Sequence, residues 1–176
     1  MRASRAWTAI IAAMLLFAMG AQAKDIYVST SFHEPATEGL RFIYSYDGLR
    51  WDSIEGVFLR PEVGAQKVMR DPSIVQGPDG TFHLVWTSSW RGDIGFGYSS
   101  SKDLIHWTKQ RFIPTGLAGG TTAIPGAGGT AALPVNTWAP ELFYDDVKRQ
   151  FLIVWASCIP GAFPDYQEDH LNNHRL

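Results

Sequence analysis

The chain has 176 residues, with 15 Lys plus Arg against 17 Asp plus Glu, 45% hydrophobic and 13% aromatic residues, and a single cysteine, Cys158. The slightly acidic balance argues against a nucleic-acid binder, which shows a basic stripe. One cysteine excludes an internal disulfide and a cysteine metal cluster, so stability must come from packing, and the Trp, Tyr, Phe, Val, Ile and Thr content favours strands over helices.

Met1 to Ala23 reads as an export signal. Arg2 and Arg5 precede the apolar run Ala9 to Met19, and Ala21-Gln22-Ala23 offers small residues for cleavage. Removing it leaves 13 Lys plus Arg against 17 Asp plus Glu and a domain expected over residues 24–176. The apolar run is short of the roughly 18 to 20 residues needed to cross a bilayer, so no membrane association is expected. The expected location is secreted or periplasmic.

Ile26-Tyr27-Val28-Ser29-Thr30 opens the domain as a strand and matches the later segment Leu84 to Ser88. Phe42-Ile43-Tyr44-Ser45, a polar turn and Trp51 follow; they are repeated by Phe96-Gly97-Tyr98-Ser99, a second polar turn and Trp107. A second repeat sets Arg70-Asp71-Pro72-Ser73-Ile74 against Trp138-Ala139-Pro140-Glu141-Leu142, with Pro140 lying 68 residues after Pro72. Downstream, Phe82 to Ser88 matches Phe151 to Ser157, with Trp155 lying 69 residues after Trp86. No stretch after Ala23 combines a 3.6-residue period with helix caps.

The unit therefore reads as four strands: a Pro-containing inner strand, an aromatic strand, a Tyr-Ser strand, and an outer strand after the Trp. Such units at a period near 70 residues describe β-propeller blades, and the fold class is all-β. The domain holds about two blades plus closing strands, whereas a closed propeller needs about four to eight. The sequence reads as the N-terminal part of a longer protein or as a truncated open reading frame, stopping at His174-Arg175-Leu176 where the third strand of its second complete unit should begin. Between Arg111 and Glu141 no residue is charged, and the six glycines there make a long connector, either a plain linker or a rim loop over a site.

Asp71 is the most informative carboxylate. Pro72 fixes the backbone after it, and on an innermost strand it would face the channel mouth. Arg70 could keep that carboxylate ionised or could bridge two blades. Trp90, after Ser88-Ser89, sits at a strand end where an indole face is open for stacking. Trp86 and Trp155 recur within aromatic strands and read as core, and His83 reads as a packed, hydrogen-bonded histidine. His170 and His174 make only a weak metal signal. Ser45-Tyr46-Asp47-Gly48-Leu49-Arg50-Trp51 resembles the Asp-box of sialidases, but with glycine one position early, so only its turn role is firm.

Met69 to Val75, Asp79 to Ser88, Tyr98 to Trp107 and Asn136 to Leu142 together resemble the first two blades of family 43 glycoside hydrolases, over about Asp25 to Leu176. The resemblance implies a five-bladed propeller that hydrolyses arabinose- or xylose-containing glycans with inversion. It makes Asp71 the general base and places the second Asp and the acid Glu beyond Leu176, leaving this chain inactive by itself. It gives Glu141 a substrate-side or structural role rather than that of the acid. The candidate substrate-binding residues are thus Arg70, Trp90, Trp138 and Glu141, and the expected partner is a carbohydrate. No cofactor is expected, although the resemblance leaves room for a structural calcium in the complete propeller. The alternative from another class is a noncatalytic carbohydrate-binding propeller.

Overall fold

A computed structural model of the chain describes residues 25–115, 134–158 and the backbone of 174–175. The expected signal segment, the centre of the glycine-rich connector, His170 and the side chain of His174 lie outside the described residues. The described elements are all strands: β1 (Tyr27–Ser31), β2 (Leu40–Ser45), β3 (Asp52–Leu59), β4 (Arg70–Gln76), β5 (Phe82–Thr87), β6 (Gly95–Ser101), β7 (Arg111–Pro114), β8 (Trp138–Asp145), β9 (Gln150–Cys158) and β10 (His174–Arg175). They form three antiparallel sheets in the orders β1-β2-β3, β4-β5-β6-β7 and β10-β9-β8. Among the described residues no helix is long and apolar enough to cross a membrane.

The 68-to-69-residue repeat is structural. Ser73 pairs with Val85 and Glu141 with Val154, and each inner strand breaks register just before that pair, between Arg70 and Ser73 and between Trp138 and Glu141. The two prolines cause the break, since neither can donate to the ladder. β10 pairs with β9 where a third strand was expected.

The first sheet aligns differently from its sequence similarity. Hydrogen bonding sets Ser45, rather than Tyr46 or Asp47, against Ser101, two residues away from the match of Phe42 with Phe96. Ser45 Oγ accepts the Asp47 and Gly48 amides, and Asp47 Oδ1 accepts those of Leu49 and Arg50. In the second turn Ser101 accepts the Asp103 and Leu104 amides, and Asp103 accepts those of Ile105 and His106, with matching distances. Tyr27 faces Ser45 and Phe82 faces Ser101, so Tyr27 is the counterpart of Phe82 and not of Val85. That slip is odd, so it exchanges the faces of β1, whereas the two-residue slip in β2 does not.

The core lies between the first two sheets. Leu40, Phe42, Met69, Leu84 and Trp86 are buried together, with Ile54, Phe58, Ile74, Leu104 and Trp107 packed against them. Gly97 is required beneath Trp86, because a Cβ there would run into the indole. His83 behaves as a packed histidine: its Nδ1 lies 2.8 Å from the Tyr98 hydroxyl, its ring packs on Phe151, and burial pushes it below the usual histidine range.

Backbone N–H donors from Arg50 and Leu49 hold Asp47 below the usual carboxylate range; Asp103 is held down by the His106 side chain and then by backbone amides. Groups lowered on folding stabilise the native state above their unfolded pKa of about 3.9, and that contribution is lost as pH falls through the folded value. Urea midpoints should therefore drop as pH falls below about 4. The doubly substituted Asp47→Asn, Asp103→Asn protein should show a lower midpoint at neutral pH and a shallower acid dependence.

Candidate active site

Asp71 opens β4 with φ 45°, and Ala139, its counterpart in β8, has the same φ of 45°. A left-handed residue recurring at equivalent positions belongs to the strand start and its bulge, not to a local accident. An aspartate tolerates that conformation better than most residues. The half-buried Asp71 carboxylate accepts a hydrogen bond from Thr87 Oγ1 at 3.3 Å, and the same hydroxyl accepts the Ala139 amide at 2.8 Å. One step along, Ser73 Oγ accepts the Leu142 amide. On the other side, the Thr30 hydroxyl donates to the Pro72 carbonyl. Three short hydroxyl side chains thus tie the inner strand to the sheets on both sides.

Of the two roles open to Arg70, bridging is the one the geometry displays. Its guanidinium makes an ion pair with Glu34 in the β1–β2 connection, Nη2 to Oε1 2.9 Å. It stacks over the Trp90 ring at 3.6 Å and lies 5.5 Å from the Phe32 ring. Trp90 meets Trp138 edge to face at 5.5 Å, and Trp138 Nε1 donates to the Trp90 carbonyl. The chain therefore brings Trp90 and Trp138 into one aromatic and cationic cluster with Arg70, the residue that precedes Asp71 in the strand. One face of Trp90 is already occupied by Arg70, so sugar stacking on that indole falls to its other face.

Glu141 is not part of this cluster. It pairs with Val154 on β9, whereas the alternate residues Phe151 and Trp155 pack on His83 and Phe96 of the middle sheet. Side chains alternate along a strand, so Glu141 projects from the opposite, exposed face of β8. It occupies the position at which Ser73 accepts an amide from the following sheet.

Several site residues carry no sequence signal. Gln66 Oε1 accepts the Trp90 amide at 2.5 Å and the Arg91 amide at 3.3 Å, while its own N–H donates to Ser89 Oγ. Asp93 accepts from Ser89 Oγ and from the Ala65 amide. Together they clamp the loop before β4 to the loop after β5 and so fix Trp90. They belong to irregular loops with no periodicity or motif, and Glu34 and Thr87 are likewise visible only from their contacts. Among the described residues no three His, Cys, Asp or Glu side chains gather as a metal site, so none is assigned to a calcium.

Residues 24–175 match a family described as a probable glycosyl hydrolase domain. The chain belongs to that family. This makes it a glycosyl hydrolase-type domain. A stretch of 71 residues is 34% identical to the carbon monoxide dehydrogenase of Methanopyrus kandleri, covering 40% of this chain and 11% of that one. The chain thus spans about a tenth of that relative's length. A solved structure from Parabacteroides distasonis, described as a candidate glycoside hydrolase, is 22% identical with a TM-score of 0.35, over 48% of this chain and 32% of that chain. Neither partial likeness carries weight for the site.

The cluster yields a direct energetic expectation. A double-mutant cycle of Arg70→Met and Trp90→Leu, read by urea unfolding, should give a coupling of about 0.5 to 2 kcal/mol, the range for a partly desolvated cation–π pair. Additive single effects would mean that Arg70 holds Trp90 only through the backbone.

Proposed function

We propose that the protein is a family 43-type glycoside hydrolase acting on arabinose- or xylose-containing glycans with inversion, and that Asp71 is its general base. The observation that carries the proposal is the placement of Asp71. Its carboxylate stands half-buried at the bulged start of an inner strand, oriented by Thr87, and the residue before it, Arg70, holds the Trp90–Trp138 pair. An inverting enzyme needs one ionised carboxylate to activate water and a protonated one, roughly 6.5 to 9.5 Å away, to assist the leaving oxygen. The proposal assigns the first role to Asp71. The acid and the second Asp are assigned to blades outside the described residues.

Trp90 and Trp138 are assigned to the sugar, with Arg70 holding the Trp90 ring. Glu141 is left with a hydrogen-bonding role between sheets, which its correspondence to Ser73 favours over direct contact with sugar. A structural calcium in the complete propeller belongs to the proposal only as a property of the family. The same Trp90–Trp138 pair favours one second reading, a noncatalytic propeller that binds the same glycans, since aromatic stacking needs no acid.

The test is turnover of aryl arabinosides and xylosides by a protein that also carries the acid and the second Asp, with the first-formed anomer followed by NMR. Asp71→Asn should lower kcat by about 10² or more, whereas Trp90→Ala should mainly raise KM. Near-normal turnover by Asp71→Asn, or a first product of retained configuration, would overturn the assignment. Glycan binding without turnover, unaltered by Asp71→Asn and lost in Trp90→Ala, would favour the noncatalytic reading.

A further inference from the structure

The loop after β5 that carries Trp90 lies between two seams, where the second sheet meets the first and the third. Arg70 and Trp138 are counterparts, each the first residue of an inner strand, and both grip the same indole. Arg70 lies across one face of the ring, and Trp138 meets it edge to face while its Nε1 donates to the Trp90 carbonyl. These contacts place the ring and the carbonyl. They leave the Trp90 amide to a third group.

That group is Gln66, whose Oε1 accepts the Trp90 and Arg91 amides while its own N–H donates to Ser89 Oγ at 3.0 Å. Two backbone donors facing one carboxamide fix which of its branches is the oxygen, because the nitrogen can only donate. Three consecutive residues, Ser89 to Arg91, are thus held by a single glutamine. Asp93 closes the loop from its far end, a single carboxylate oxygen accepting from Ser89 Oγ and from the Ala65 amide. Gly64 permits the close approach, since a Cβ there would stand 2.6 Å from the Ser88 carbonyl oxygen. Gln66 is itself exposed and takes no part in the core. Its side-chain hydrogen bonds among the described residues all go to the loop of Trp90, so it serves that loop rather than the stability of the sheets.

We propose that Gln66 is a positioning residue of the carbohydrate site, which sets the affinity for the glycan by holding the Trp90 indole in its stacking position before the sugar arrives. Stacking on an indole is offset by whatever freedom the ring and its loop lose on binding. A loop already tied at Ser89, Trp90 and Arg91 has little left to lose. Gln66 touches no sugar in this scheme and acts only through Trp90. The inference rests on the reading of Trp90 as a sugar contact and is independent of any catalytic role for Asp71.

The test is calorimetric titration of xylotetraose and of arabinotetraose into a protein that also carries the acid and the second Asp, in an Asp71→Asn background so that the sugar is not consumed. Gln66→Met keeps the length of the side chain and removes the acceptor. It should raise Kd by between about two- and tenfold, the worth of a lost hydrogen bond, with a urea midpoint close to the parent's. Added to Trp90→Ala it should raise Kd no further, because the ring through which it acts is gone. A Kd raised by Trp90→Ala but unchanged by Gln66→Met would overturn the inference alone. So would an effect of Gln66→Met that persists in full without the indole, since that marks a general disturbance of the fold. No binding of either sugar, or a Kd that Trp90→Ala leaves unchanged, would overturn the reading of Trp90 and this inference with it.

Discussion

The hydroxyl of Thr87 is the point on which the site depends. It donates to the Asp71 carboxylate and accepts the Ala139 amide, so one oxygen joins the start of one inner strand to the start of the next. Both starts are bulged, because Pro72 and Pro140 have no N–H to give and the ladder must skip a pair. The bulge leaves the Ala139 amide without a strand partner. Thr87 supplies the acceptor, and in doing so aims the Asp71 side chain.

The geometry has a conformational cost. Left-handed backbone is unfavourable by roughly 1–2 kcal/mol for an L-residue other than glycine, and least so for Asp and Asn. Ala139 bears it with no side-chain polar group to compensate, so the surrounding contacts must enforce the conformation. They do so through the Thr30, Ser73 and Thr87 hydroxyls, which fasten successive sheets at their inner ends. Arg70 adds a fourth tie, from the same strand start to Glu34 and across Trp90. The Trp90–Trp138 pair and the Asp71 carboxylate are therefore held by the same contacts that join the sheets, and loosening one would disturb the other.

Much of this was legible in the sequence. The repeat of Pro72 with Pro140 and of Trp86 with Trp155 gave the inner and aromatic strands, because proline and buried aromatics are confined to special positions in a blade. The first sheet was less legible. Ser, Tyr and Phe recur every two residues along β2 and β6, so slips of two residues look alike, and only the Ser–Asp turn bonds fix the register. The partner of Arg70 was hidden because Glu34 lies in the irregular connection between β1 and β2, 36 residues earlier in the chain. Glu141 was separated from the aromatic cluster by alternation along β8, a constraint that became readable once its correspondence with Ser73 was established by pairing.

The central claim, that Thr87 ties the two strand starts and thereby positions Asp71, is tested most directly by amide hydrogen exchange at Ala139. In Thr87→Val the side-chain shape is kept and the acceptor is lost. The account predicts faster exchange of the Ala139 amide by about tenfold, corresponding to the loss of roughly 1.4 kcal/mol, with restoration in Thr87→Ser and little change at amides in β5 and β6. Equal protection of the Ala139 amide in Thr87→Val and the parent protein would contradict it.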